Sequence, residues 1–455
     1  MDLILFTWIS CVITTLWIVN LSTPLFTLKR MNVIQVLLLS HVATQFIPSV
    51  LFYLTYSSKQ YTSLYLAACA LLTAVIPLGA YFAGLMNPLN QRAKTFRMRP
   101  LLPTTQDKGR FLLFFAIFFV LCALIFATYV ARTPSFPLLQ LLSQTTAHED
   151  LVLLRREVST YGIIYGSALR VTVPVFFLTC LVSLSIYKPA SMKAICLAGV
   201  IIAFLYNAWP GSKTPVATLF LLITVILVLR SRELPAGIYL KNDQAGMKRI
   251  WRKKSKGLKF GIIGTFIFVI GYPFLIFIFL PAGQNGIGYI FESIFTRIFL
   301  KPAENTYVAF EVYNIGNYTK FGDIRIIADI FDINYVHLSM EVAIHRGLGE
   351  FTNSPPATIG RFYAQGGMLV VALMGAFSGF LFRYCENILL NTQYKTPLTL
   401  AVYAVVIFGA FRYSWGNFYS LLYSELFIPI FIILFLAAIF SGRFVNANSR
   451  LKLSQ

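Results

Sequence analysis

The sequence predicts an all-α polytopic membrane protein. Three observations carry that reading. Of 455 residues, 57% are hydrophobic and only 12% are charged, more apolar surface than a water-soluble domain of this size can hide. The apolar residues fall into runs of about 20, the length that crosses a hydrocarbon core as a helix. The basic residues collect in short segments between those runs, where the positive-inside rule places cytoplasmic loops.

In order, the runs lie near 3–21, 32–56, 61–86, 111–131, 161–187, 194–209, 213–230, 260–281, 363–385, 397–411 and 419–440. They predict about eleven transmembrane helices. Met1-Asp-Leu-Ile-Leu-Phe lacks a basic stretch and a small-residue cleavage site, so the first run reads as a span and not as a signal peptide. Lys29 and Arg30 hold its far end in the cytoplasm. The loop with Arg92, Lys94, Arg97, Arg99, Lys108 and Arg110 contains one acid, Asp107. The loop from Arg230 to Lys259 contains two, Glu233 and Asp243, among many more bases. Both loops are expected inside. Counting spans from them gives an outer N-terminus and a cytoplasmic C-terminus.

The organisation follows. Residues 1–280 hold helices 1–8 with their basic cytoplasmic loops. Residues 281–362 form one long extracytoplasmic loop domain. Residues 363–455 hold helices 9–11 and a tail carrying Arg443, Arg450 and Lys452. The net charge of +21 is explained by the loops, so nucleic acid is not an expected partner. The six cysteines form no CxxC pair and avoid the long loop. The four histidines show no HExxH or paired-ligand spacing, so no metal site is expected.

The long loop is where chemistry is expected. Within Ile287–Leu300, Ile287, Ile290, Phe291, Ile294, Phe295, Ile298 and Phe299 share one helical stripe, with Glu292, Ser293, Thr296 and Arg297 on the other face. That pattern suits a helix lying in the membrane interface, and equally an ordinary amphipathic helix of a small domain. Ser354 and Pro355 are expected to cap and open a helix. Gly375-Ala-Phe-Ser-Gly379 offers a small-residue packing face in the next span.

Basic residues on the outer side run against the positive-inside rule. Arg170 lies about nine residues, roughly 13 Å, into the fifth span, and is expected to face the bundle interior or a watery cavity. Lys213 starts the seventh span within Trp209-Pro-Gly-Ser-Lys-Thr. Arg297 is on the amphipathic helix, Arg361 at the outer start of the ninth span, and Arg412 at the outer end of the tenth, in Phe411-Arg-Tyr-Ser-Trp415. Each alone reads first as a snorkelling or paired charge. Together, at about one membrane depth, they suit a multiply charged phosphate group. A pyrophosphate on a lipid carrier has that depth and charge, and fixed cations would stabilise its departure in glycosyl transfer. A base for an acceptor hydroxyl is sought on the same face. Glu304, Glu311, Asp329, Asp332 and His345 are the candidates; Glu304 and His345 lead. There is no DxD motif.

Ser354-Pro-Pro-Ala-Thr-Ile-Gly360, followed by Gly366-Gly367 and a glycine-bearing span, resembles the Wzy-type oligosaccharide repeat-unit polymerases, which include O-antigen and enterobacterial common antigen polymerases. Thr296-Arg297 with Pro302-Ala-Glu304-Asn305 resembles the Thr-Arg and Glu-Asn element of the common-antigen branch. Trp209-Pro-Gly-Ser-Lys213 is similar to the family's Gly-Thr/Ser-Arg turn, with Lys in place of Arg. Arg170 ahead of Pro174, and Arg412, match similarly placed arginines.

The resemblance implies a GT-C-like, metal-independent glycosyltransferase of the bacterial inner membrane, without a cofactor or soluble nucleotide sugar. It implies undecaprenyl-pyrophosphate-linked repeat units as donor and acceptor at the periplasmic face, surrounding membrane lipid, and a chain-length regulator protein as partner. The products would be lipopolysaccharide O-antigen, common antigen or a related surface polysaccharide. Arg170, Lys213, Arg297, Arg361 and Arg412 would then bind pyrophosphate, and Arg297, Glu304 and His345 would be catalytic. Two alternatives stay open. An O-antigen ligase shares the architecture but passes glycan to lipid A core. A polysaccharide flippase or other transporter would place charges along a central path.

Overall fold

The computed structural model describes residues 3–22, 32–56, 59–89, 168–187, 189–208, 213–230, 301–314, 316–348, 354–392 and 395–440, with scattered positions beside them. The described residues are helical, with no strands and one isolated bridge between Leu101 and Lys395. The helices are α1 (Leu3–Ser22), α2 (Val33–Thr55), α3 (Lys59–Met86), α4 (Arg170–Ser183), α5 (Ala190–Ala208), α6 (Lys213–Arg230), α7 (Lys301–Val312), α8 (Arg325–Phe331), α9 (Leu338–His345), α10 (Thr358–Asn391), α11 (Pro397–Tyr413) and α12 (Phe418–Leu436).

Among the described residues, five helices are long and apolar enough to cross a membrane: α2, α3 from Gln60, α5 to Asn207, α10 and α12. α1, α4, α6 and α11 contain shorter apolar helices. This is a helical, membrane-embedded chain. Each predicted run that falls mainly on described residues is a helix. Of the run near 111–131 only scattered positions are described, all helical, while the run near 260–281 and nearly all of 287–300 lie outside the described residues.

The chain divides into two units. One comprises residues 90–272, 391–405 and 422–455. There α4 packs on α5 and α6, and segments from three loops predicted to share one side are tied together. Arg99 Nη1 donates to the Thr392 carbonyl at 2.6 Å. Glu233 takes Arg230 Nε at 2.9 Å and lies 3.4 Å from Lys395 Nζ. The Lys395 side chain is fully buried, with its ammonium 5.7 Å from the centre of the Phe96 ring.

The other unit comprises 1–89, 273–390 and 406–421, and it holds most of the residues of interest. α2 starts on a capping box, with Asn32 accepting from Gln35 N–H. The neighbouring Val33 N–H donates to Glu386 of α10 at 3.1 Å. Glu386 is buried, and Arg383 pairs with it at 2.8 Å. A carboxylate beside a helix N-terminus answers both the open N–H groups and the dipole. Asn387 donates to the Asn87 carbonyl, at the end of α3, at 2.6 Å. One end of α2, α3 and α10 is thereby fixed.

Along their length, α3 and α10 touch backbone to backbone. A Cβ on Gly79 would stand 1.7 Å from the Ala376 carbonyl oxygen, and one on Gly379 would stand 2.0 Å from that of Ile76. The small-residue face expected at Gly375–Gly379 is therefore the seat of α3. α2 winds through one π turn at Val42–Phe46. Beside it His41 Nε2 meets the Cys69 carbonyl at 3.1 Å.

The loop helices sit on the opposite end. Tyr307 of α7 stacks on Tyr56, just past α2, at 5.2 Å, and Phe310 lies 5.3 Å from Tyr65 of α3. Thr358, the first residue of α10, donates to the Tyr413 carbonyl of α11 at 2.6 Å. The antiparallel order of spans predicted from the sequence places these helix ends together.

The helix expected at Ser354 starts later, at Thr358. Pro355 and Pro356 explain this. A residue before proline is held away from the α region, and a proline has no N–H to give. The Ser354 N–H instead donates to the Ser339 carbonyl at 3.1 Å. Arg361 consequently lies inside α10, in its first turn.

Candidate functional site

α9 collects the polar side chains of the loop. Ser339 sits at its start, Glu341 follows, and His345 ends it, with Arg346 as its C-cap. Each meets a different partner. Arg361 Nη2 donates to Ser339 Oγ at 3.1 Å. The Tyr313 hydroxyl donates to Glu341, and burial, then this carboxylate, push its pKa up. His345 Nε2 lies 3.8 Å from Glu311 of α7.

Arg346 reaches α7 directly. Its Nη2 lies 2.7 Å from Glu304 Oε2, and its Nη1 donates to Asn305 Oδ1. Glu304 also lies 3.8 Å from Lys301 Nζ, a turn back on the same helix. A guanidinium has more donors than these two partners use. Asn305 in turn donates to the Pro355 carbonyl at 3.3 Å, and the Ala357 N–H donates to Thr306 Oγ1 at 3.0 Å. The stretches Pro302–Asn305 and Ser354–Gly360 are therefore hydrogen-bonded to each other.

A second cluster surrounds Asp323. Its side chain is 1% exposed. Gln365 donates to Oδ1 at 2.8 Å and Arg361 Nη1 to Oδ2 at 3.4 Å. The Tyr419 hydroxyl donates to Gln365 Oε1 at 2.6 Å, fixing the amide's orientation. Burial raises the Asp323 pKa, while Gln365's hydrogen bond and Arg361's charge oppose that. Asp323 is thus a structural counter-ion that occupies part of the Arg361 fork.

Immediately below, α10 is broken. Gly367 has φ 68° and ψ −153°, a region open to glycine and strained for other residues. A Cβ there would stand 2.6 Å from the Tyr318 hydroxyl. At this level the Thr319 N–H donates to the Ala364 carbonyl at 2.8 Å, so residues 318–323 dock along α10 over more than a turn.

The structure sorts the residues singled out from sequence. Glu304, His345, Arg361 and Arg412 all belong to the unit just described. Glu304 is held by Arg346, His345 is exposed beside Glu311, and Arg361 is half-buried against Asp323. Arg412 is half-buried in the last turn of α11, adjoining the Tyr413 carbonyl that receives Thr358. Arg170 and Lys213 belong to the other unit. Arg170 lies in the π turn Ala168–Thr172 and is exposed. Lys213 opens α6. Arg297 lies outside the described residues.

Sequence reasoning passed over Arg346, Asp323, Gln365, Ser339 and Tyr419 as site residues. One signal was present: Arg361 and Gln365 are four apart, hence on one helix face. Among the described residues no group of His, Cys, Asp or Glu is arranged to hold a metal. Comparison with protein-family models, with curated proteins and with solved structures finds no match to this chain.

Proposed function

We propose that the chain is a membrane glycosyltransferase that polymerises lipid-pyrophosphate-linked oligosaccharide repeat units. The observation that carries this reading is the contact of Pro302–Asn305, and of Thr306 next to it, with Ser354–Gly360. Those are two of the stretches in which the sequence resembles the Wzy-type polymerases, and they lie far apart in the chain. Arg346 braces that junction through Asn305, and Arg361 bonds to Ser339, whose carbonyl receives the Ser354 N–H.

In this reading Arg346 and Arg361, with Arg412, present fixed positive charge where a carrier pyrophosphate would leave. Asp323 and Glu304 hold the guanidinium planes in place. Glu304 or His345 takes the proton of the acceptor hydroxyl as the glycosidic bond forms. The carrier pyrophosphate departs with the electron pair of the broken bond. Undecaprenyl as carrier, the inner membrane and its periplasmic face belong to this proposal through the family resemblance. So does a chain-length regulator as partner.

The test is genetic. The gene is deleted, and wild type or Arg346→Ala is restored at matched membrane abundance; surface and carrier-linked glycans are then resolved by size. The polymerase reading requires collapse to single repeats on deletion, recovery with wild type, and no recovery with Arg346→Ala. Full-length polymer accumulating on the carrier would establish a ligase instead. Repeat units trapped inside would establish a transporter.

A further inference from the structure

Among the described residues, the segment 318–332 presents an exposed apolar face at a definite level of α10. Tyr318 abuts Gly367, Thr319 is bonded to Ala364, and Asp323 is bonded to Arg361 and Gln365. These partners cover about 9 Å of the α10 axis. The lipid-compatible side of α10 begins just below, where Leu369 and Leu373 are 68% and 61% exposed. α8 starts two residues after Asp323 and so departs from the level at which the apolar surface of the span begins.

α8 reads Arg325-Ile-Ile-Ala-Asp-Ile-Phe331. Ala328 is buried, whereas Ile326, Ile330 and Phe331 are exposed, the last two each 68%. Water would be a poor neighbour for three large apolar side chains on seven residues. Lys320 and Arg325 are exposed at the start of the segment, and Asp329 and Asp332 toward its end, so the segment carries no net attraction to anionic headgroups.

We infer that α8 lies in the membrane interface, with Ile326, Ile330 and Phe331 among the acyl chains of the adjoining leaflet and Arg325 at headgroup level. The ligand is bilayer lipid, zwitterionic lipid sufficing. The apolar face supplies the binding, and the pinning of Asp323 sets the depth. This surface is separate from the stripe at 287–300, and the inference stands on α10 as a span, not on the polymerase reading.

The test is spin-label accessibility in the full-length protein reconstituted in phosphatidylcholine liposomes. Ile330→Cys carries the nitroxide, and identically labelled wild type gives the background from native cysteines. The expected result is collision with dissolved oxygen severalfold above collision with a water-soluble nickel chelate, at a depth just beneath the phosphates. Free collision with the nickel chelate would place α8 in water and overturn the inference. A label screened from both reagents would put protein over the face, a second copy or a partner, and would overturn it too. Ile326→Cys repeats the reading on the same face, so that one poorly tolerated label does not decide the matter.

Discussion

Arg361 and Asp323 form an ion pair in which both side chains are largely removed from water, at 11% and 1% exposure and 3.4 Å apart. Removing either partner strands the other. Loss of one member of such a pair costs about 3–5 kcal/mol, while loss of both costs less because no lone charge remains. Arg361→Ala and Asp323→Ala are each expected to lower the melting temperature of the detergent-solubilised protein strongly, and the double variant to recover part of the loss. Additive losses would show that the two side chains do not act as a pair.

The same carboxylate gives a pH signature. Its pKa is raised, chiefly by burial, so the folded state holds its proton more tightly than the unfolded chain does. The stability that results is fully present below the ordinary aspartate value of about 3.9 and is lost as pH rises through the raised value. Melting temperatures of wild type and Asp323→Asn, followed from acid to neutral pH, are expected to show wild type losing ground to the variant as pH rises through that window. A flat difference would place Asp323 in water, and one of opposite sign would show that Arg361 and Gln365 outweigh its burial.

Gly367 is predicted to be intolerant of alanine for two separable reasons. Its positive φ costs about 1–3 kcal/mol in any other residue, and a Cβ would meet the Tyr318 hydroxyl. Gly367→Ala is expected to destabilise, and adding Tyr318→Phe to relieve only the second part. Gly366, which is extended at φ −178°, carries no such conformational demand. Melting curves of Gly367→Ala, Tyr318→Phe and the double variant separate the two contributions.

Backbone contact between α3 and α10 sets a further expectation. With the Ala376 carbonyl 1.7 Å from a Gly79 Cβ, Gly79→Leu forces the two helices apart. Its membrane abundance and detergent stability are expected to fall sharply. Gly84→Leu, at a glycine of the same helix whose Cβ meets nothing within 4 Å, is the matched control and is expected to behave as wild type.

Much of the helical scaffold was legible in the sequence because apolar runs and loop charge are local signals. The small-residue face at Gly375–Gly379 was legible for the same reason, whereas the four-residue spacing of Arg361 and Gln365 was a local signal that went unread. The start of α10 was misplaced because Ser354 has the chemistry of a cap, while the two prolines after it hold the backbone extended. The site was less legible. Asp323 and Arg361 are 38 residues apart, and Arg346 and Asn305 are 41 apart. Neither spacing carries a periodic signal, because the contacts depend on how α7, α9 and α10 dock. The outer cations drew notice as a set at about one membrane depth, but their carboxylate partners are ordinary loop acids until the fold assembles them.

The most direct test of the central claim is turnover by the purified protein in liposomes, supplied only with carrier-pyrophosphate-linked repeat units. The account predicts glycans of two or more repeats on the carrier, with one carrier pyrophosphate released for each bond formed. It predicts that Arg346→Ala, folded and reconstituted to the same level, abolishes this. It also predicts that Arg346→Lys retains only a small part, because an ammonium keeps the charge without the planar fork that reaches both Glu304 and Asn305. A folded, reconstituted wild-type protein that leaves every repeat unit single would contradict the account, as would full activity in Arg346→Ala.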